Sequence, residues 1–108
     1  MKLEFLPMRR DDRLVLHRED DVLTINGEAF DFGALPEGAT LPREAIESRW
    51  FAGPVKRING VLHFTLILPH GPQAPDATRF PEAVEFEGNG EIQLPAWSLT
   101  EENSHAKD

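Results

Sequence analysis

Apolar and polar residues alternate along much of this chain with the period of two that is typical of β-strands. The alternation is clearest on either side of two Asn-Gly dipeptides, Asn26-Gly27 and Asn59-Gly60. A two-residue hairpin turn needs positive φ angles, which Asn and Gly tolerate. The first dipeptide therefore predicts a hairpin between residues 22–25 and 28–32. The second predicts a hairpin between residues 54–58 and 61–68.

The first hairpin has a register that the hydrophobic pattern supports. With a two-residue turn, Ile25 lies opposite Glu28 and Leu23 lies opposite Phe30. This register places four apolar side chains on one face, namely Leu23, Ile25, Phe30 and Phe32. Pattern and turn chemistry thus predict the same pairing.

Residues 61–68 form the most apolar run of the chain. Its alternation predicts a core-facing set of Leu62, Phe64, Leu66 and Leu68. The opposite set is only half polar and consists of Val61, His63, Thr65 and Ile67. A strand that is apolar on both faces is usually central in its sheet, or its second face meets a partner.

The remaining elements are shorter. Residues 3–8 predict a strand that Pro7 stops or bends, and residues 13–17 predict a strand joined to the first hairpin by a turn at residues 18–21. Gly88-Asn89-Gly90 predicts a last hairpin between residues 83–87 and 91–94. Residues 44–51 fit a strand or, as the alternative, a short helix.

These elements predict an all-β fold, a small antiparallel β-sandwich or partly open barrel built from hairpins. The length of 108 residues fits one domain, which we assign to residues 1–97. Residues 98–108 are polar, and we expect them to form a disordered tail.

Composition narrows the function. The chain has no cysteine, which removes disulfides and thiolate zinc sites, and its formal net charge is −8. This charge disfavours nucleic acids and anionic membranes as partners. No long apolar segment predicts a signal peptide or a membrane span, so we expect a cytoplasmic protein.

The sequence contains no recognisable catalytic or metal-binding motif. Its four histidines are not spaced as metal ligands, and its acidic clusters read as ordinary turn residues. We therefore predict no catalytic residues, no metal, no cofactor and no enzymatic activity. An enzyme would require His17 or His63 to meet a buried carboxylate.

Two proline-containing loops, residues 33–43 and 69–81, are stiff enough to bind a partner at a small entropy cost. Together with the second face of residues 61–68 they predict an interaction surface. The candidate residues are His63, Thr65, Ile67, His70, Arg79 and Trp97. The alternative is a small-molecule or carbohydrate site, in which His70, Arg79 and Trp97 would surround one pocket.

Four stretches carry a resemblance to a known group of proteins. Residues 21–27 (DVLTING), 35–39 (LPEGA), 50–55 (WFAGPV) and 62–69 (LHFTLILP) resemble small uncharacterised proteins of bacterial prophages. The similarity covers about residues 1–86, and the genes of such proteins tend to lie among tail or tail-fibre genes. The resemblance implies a phage tail-associated structural or assembly protein.

That setting defines the expected partner. We predict a non-enzymatic protein–protein interaction module that binds a phage structural protein, either in the cytoplasm or within a phage particle. An open sheet edge on so small a domain also allows a homodimer.

Overall fold

A computed structural model describes residues 1–98 of the protein. Within these residues the chain forms nine strands, a 3-10 turn at Arg43–Ala45 and one short helix, α1, at Asp76–Arg79. The strands are β1 (Lys2–Arg9), β2 (Leu16–Glu19), β3 (Val22–Ile25), β4 (Glu28–Asp31), β5 (Thr40–Leu41), β6 (Val55–Ile58), β7 (Val61–His70), β8 (Val84–Glu85) and β9 (Gly90–Ile92). The predicted all-β fold is confirmed.

The strands form two sheets that do not close into a barrel. One has five strands in the order β5-β6-β7-β1-β8, and the other has four in the order β4-β3-β2-β9. All pairs are antiparallel except one, because β1 and β7 run parallel from Lys2 opposite His63 to Arg9 opposite His70. The hairpin pattern did not predict this central parallel pair.

A single hydrophobic cluster joins the two sheets. Its centre is a group of aromatic rings. The ring centroids of Phe51 and Phe30 are 5.4 Å apart, and those of Phe32 and Phe64 are 5.2 Å apart. The predicted core-facing side chains of β7 are all buried, as are Leu23 and Ile25 of β3. Burying side chains of this size stabilises a fold by about 1.5–3 kcal/mol each.

Both Asn-Gly turns have the predicted geometry. The φ angles are 50° and 86° at Asn26 and Gly27, and 52° and 77° at Asn59 and Gly60. Positive φ at both central residues is what a type I′ turn requires. The register of the first hairpin, with Ile25 opposite Glu28, is also confirmed.

The third predicted hairpin is wrong. β8 pairs with β1 in the five-stranded sheet, whereas β9 pairs with β2 in the four-stranded sheet. Residues 88–90 are therefore a crossing between the sheets. Side chains hold it there: Asn89 Oδ1 accepts a hydrogen bond from Asp20 N at 2.9 Å, and Arg18 Nη1 donates to Phe86 O at 2.9 Å.

Pro7 does not stop β1, which continues to Arg9. Within residues 1–98, β8 pairs with β1 only at Lys2 and Leu3, so the same side of β1 is an open edge from Glu4 onward. Hydrogen bonds between the Met1 and Phe86 backbones show that the backbone N–H and C=O groups of odd-numbered β1 residues point toward that edge. The backbone nitrogen of Pro7, which carries no hydrogen, therefore lies on the unpaired side of β1 and not in the β1–β7 ladder, as is usual for proline at an edge.

Two further boundaries differ from expectation. Residues 44–51 form no strand, because Ala45 N and Ile46 N bond locally to Pro42 O and Arg43 O, and only Phe51 bridges to β7. Residues 69–81 are not wholly a loop, since β7 extends through His70 and α1 follows. Of the predicted disordered tail, Ser98 is buried, and residues 99–108 lie outside the described part.

Candidate interaction surface

The outer face of the five-stranded sheet is the side directed away from the four-stranded sheet. The side chains of β7 alternate, so Leu62, Phe64, Leu66 and Leu68 enter the core and the intervening residues point outward. The registers with β1 and β6 place their residues on the same two sides. The registers of β8 and β5 add Glu85 beside Lys2 and Thr40 beside Lys56. The outer face thus comprises Lys2, Glu4, Leu6, Met8, Thr40, Lys56, Ile58, Val61, His63, Thr65, Ile67 and Glu85.

Large apolar side chains are concentrated on this face. Of the six that are exposed in residues 1–98, four belong to it: Leu6, Met8, Ile58 and Val61. Leu6 is 48% exposed and lies in register with the half-buried Ile67. Single exposed apolar residues are ordinary, whereas several on one sheet face are typical of a contact surface.

Basic groups lie at one end of the outer face. His63 of β7 is in register with Lys2 on one neighbouring strand and with Lys56 on the other. The three side chains, together with Glu4, Ile58 and Thr65, line a shallow depression of about 180 Å³. The Thr65 side chain packs closely on Gly53. A Cβ added at Gly53 would lie only 3.2 Å from Thr65 Cβ.

The structure brings together only half of the predicted surface residues. His63, Thr65 and Ile67 share the outer face, whereas the other three lie near the far end of β7. Arg79 is exposed and pairs with Asp76 within α1. His70 is half-buried, and its Nδ1 lies 3.0 Å from Gly71 O.

Trp97 is a packing residue rather than a free surface anchor. Its Nε1 donates a hydrogen bond to Arg10 O at 3.0 Å, and the Arg13 guanidinium lies 4.1 Å from the ring centroid. The ring also covers Gly71, where an added Cβ would come within 2.6 Å of it. Trp97 thus closes the end of the sandwich over the loop that follows β7.

A charged cluster surrounds the buried Trp50. Arg10 stacks on the ring at 4.4 Å and makes a two-pronged contact with Asp12, which Arg49 also contacts at 2.6 Å. Desolvation acts to raise the pKa of Asp12, but the hydrogen bond from Arg10 and the charges of both arginines outweigh it and lower that pKa. The cluster joins the segment after β1 to the segment before β6.

A cavity of about 360 Å³ opens at the Trp97 end of the molecule. Its walls are mainly apolar and come from both sheets, with Leu16 and Ile92 on one side and Leu68 on the other. Trp97 and Arg13 also line it. His70 and Arg79 do not line it, so this cavity does not bring the three predicted residues together.

Within residues 1–98, neither histidine that an enzyme would need meets a buried carboxylate. His17 is exposed on β2, and the acids near His63 on the outer face, Glu4 and Glu85, are both exposed. No three His, Asp or Glu side chains in the described part of the chain converge as metal ligands. The helices in residues 1–98 are all too short to cross a membrane.

The outer-face side chains of β1 and β6 were not predicted from the sequence. Their alternation is readable, since Lys2, Glu4, Leu6 and Met8 occupy every second position of β1. What was missing was the pairing of β1 beside β7, which joins segments about 60 residues apart. Without that pairing the two half-polar strand faces could not be recognised as one surface.

Comparisons with family models, curated proteins and solved structures returned no match. They provide no support for the resemblance to prophage proteins, and the phage setting stays a prediction.

Proposed function

We propose that the protein is an interaction module whose outer face binds another protein. The observation that supports this is the concentration of exposed apolar side chains there, on a sheet whose other face carries the core. Leu6, Met8 and Ile58 are bordered by charged groups, an arrangement found in many protein interfaces. Such a contact needs no chemistry beyond shape and apolar burial.

We propose a phage structural protein as the partner, in keeping with the prophage resemblance. In that setting the protein would act in the assembly or structure of a tail. The open edge of β1 is a poorer site for strand addition because Pro7 lacks a donor there. The partner would therefore cover the outer face instead of extending the sheet.

The test is a double variant, Leu6→Asp with Ile58→Asp, compared with Val15→Asp. Val15 is similarly exposed but precedes β2 in the four-stranded sheet, so it controls for loss of an exposed apolar residue. Proteins captured from prophage-carrying cells would be purified and titrated against each variant. The proposal requires that at least one captured protein binds the wild type and the Val15→Asp variant but does not bind the double variant.

Sedimentation of the purified protein tests whether a second copy of the same chain covers the outer face. A dimer that the double variant dissociates would assign the outer face to self-association and would contradict the proposed partner. Equal binding of the captured protein to all variants would place its site elsewhere and would also contradict the proposal.

The cavity beside Trp97 supports a second candidate function, the binding of a small apolar molecule. Its volume falls within the range of ligand pockets, and its walls are mainly apolar. A ligand there should change Trp97 emission in a Trp50→Phe background, and Leu16→Trp should block binding. If no compound of a fragment library changes this emission saturably, the candidate fails.

A further inference from the structure

We propose that the row Lys2–His63–Lys56 on the outer face recognises an acidic segment of the partner protein. This inference rests on the proposed function and adds the chemistry by which the partner is recognised. It follows from the register of three strands, from the lack of an ion pair at either lysine within residues 1–98, and from the residues that line the depression between them.

The register places the three basic side chains across the sheet instead of along one strand. Lys2 and Lys56 lie on the strands that flank β7, each in register with His63. Neighbouring strands are about 4.8 Å apart, so the two lysine Cα atoms are separated by about 10 Å. A segment in the polyproline II conformation can match this with carboxylates three residues apart, since it has three residues per turn and rises about 3.1 Å per residue, which places them on one side about 9 Å apart.

The two lysines differ from most arginines of the chain in having no acidic partner. Arg9, Arg10, Arg49, Arg57 and Arg79 each contact an aspartate. Lys2 and Lys56 form no ion pair with any side chain in residues 1–98. The formal net charge is −8, so the row is a local basic site on an acidic molecule, with Glu85 of β8 in register with Lys2 at one end of it.

The surroundings of the row favour a peptide over a free anion. The depression is also lined by Thr65, whose hydroxyl is a hydrogen-bonding group, and by the apolar residues Pro54 and Ile58. Ile58 is 44% exposed, so a partner that covers it gains apolar burial as well as charge pairing. Glu4 borders the same depression and Glu85 lies beside Lys2, so both should repel carboxylates on their side of the row.

The direct test is an NMR titration of the ¹⁵N-labelled protein with a blocked six-residue peptide that carries glutamate at its first and fourth positions. The control peptide has glutamine at both. We expect saturable shifts of the amides of Lys2, Lys56, His63 and Thr65 with the glutamate peptide, weakening as salt is added. No shifts, equal shifts with the glutamine peptide, or shifts centred elsewhere would overturn the inference.

Charge variants make the test quantitative. Lys2→Gln with Lys56→Gln should weaken binding about fivefold, the effect of losing two exposed ion pairs. Glu4→Gln should strengthen it, whereas Arg79→Gln, at the other end of β7, should leave it unchanged. An unchanged affinity of the lysine double variant would contradict the proposed recognition.

The same variants separate this inference from the proposed function when the captured partner is used. If Leu6→Asp with Ile58→Asp abolishes partner binding while the lysine double variant does not, only the acidic recognition fails. If neither pair affects binding, the outer face is not the interface and the proposed function fails with it.

Discussion

Arg57 is expected to be the polar side chain on which the pairing of the two sheets depends most. It belongs to β6, but its position opposite Leu62 turns it inward. Its Nε donates to Leu35 O at 2.6 Å, and its Nη2 donates to Phe32 O at 3.0 Å and to Asp21 Oδ2 at 3.2 Å. Phe32, Leu35 and Asp21 all belong to the part of the chain around the four-stranded sheet.

The expected loss of stability on removing Arg57 follows from the burial of its side chain. The Arg57 side chain is only 14% exposed, whereas that of Asp21 is 41% exposed. Hydrogen bonds that involve a charged group contribute about 1.5–3 kcal/mol each, so the two bonds to carbonyls give a ceiling of about 3–6 kcal/mol. Because the site is not fully buried, water can replace part of these bonds in a variant. We expect Arg57→Met, which keeps the apolar stem, to lower the free energy of unfolding by about 3 kcal/mol.

Urea unfolding followed by tryptophan emission measures this value, since Trp50 is buried in the folded state. Arg43→Met is the matched control because Arg43 is exposed, and it should change stability by less than about 0.5 kcal/mol. Asp21→Asn should cost less than about 1 kcal/mol, as expected for a partly exposed ion pair. A loss below about 1 kcal/mol for Arg57→Met would refute the proposed role.

Two further predictions concern the Trp97 end and the charged cluster around Trp50. Gly71→Ala should displace the Trp97 ring, because the new Cβ would lie 2.6 Å from it, and should cost about 1–3 kcal/mol with a red shift of emission; Gly88→Ala, with no atom within 4 Å, is the control. Asp12 has a lowered pKa in the folded state, so the stability it contributes is complete above the usual aspartate value of about 3.9 and is lost as the pH falls through the folded value. Asp12→Asn should therefore flatten the acid limb of stability against pH, whereas Asp11→Asn, which removes the same charge from a 90% exposed side chain, should flatten it less. Unfolding free energies between pH 7 and pH 3 would show this, and equal slopes for the two variants would contradict it.

The parts of the fold that the sequence predicted are those set by local chemistry. The Asn-Gly turns determine the registers of two hairpins, because only a two-residue turn with positive φ joins such strands. Alternation then assigns the core side of β3 and β7. These features depend on residues fewer than about ten positions apart, and each can be read without knowledge of the rest of the chain.

Gly88-Asn89-Gly90 shows where local chemistry is insufficient. The cluster has the residues of a hairpin turn, and strands lie on both sides of it, yet the chain crosses between sheets there. Arg18 and Asn89 bind backbone groups across this crossing, and their partners are about 70 residues away in sequence. A turn sequence indicates that the chain can reverse direction, whereas long-range contacts decide which sheet each flanking strand joins.

The same limit explains the incomplete prediction of the interaction surface. The half-polar face of β7 indicated that His63, Thr65 and Ile67 would face a partner or solvent, and they do share an exposed side of the sheet. Loop composition suggested Arg79 and aromatic character suggested Trp97, but neither feature carries information on what those side chains contact. Trp97 is held by Arg10 and Gly71, through contacts that join segments distant in sequence.

The parallel pairing of β1 with β7 links the fold to the proposed function. A hairpin-only sheet would place a strand adjacent in sequence beside β7, and the lysines of β1 and β6 would not lie on either side of His63. Parallel pairing instead brings Lys2 to His63 and Leu6 to Ile67. One long-range pairing thus creates both the basic row and the apolar patch. A variant that disrupts the β1–β7 ladder should therefore abolish peptide and partner binding together, whereas side-chain variants on the outer face should separate them.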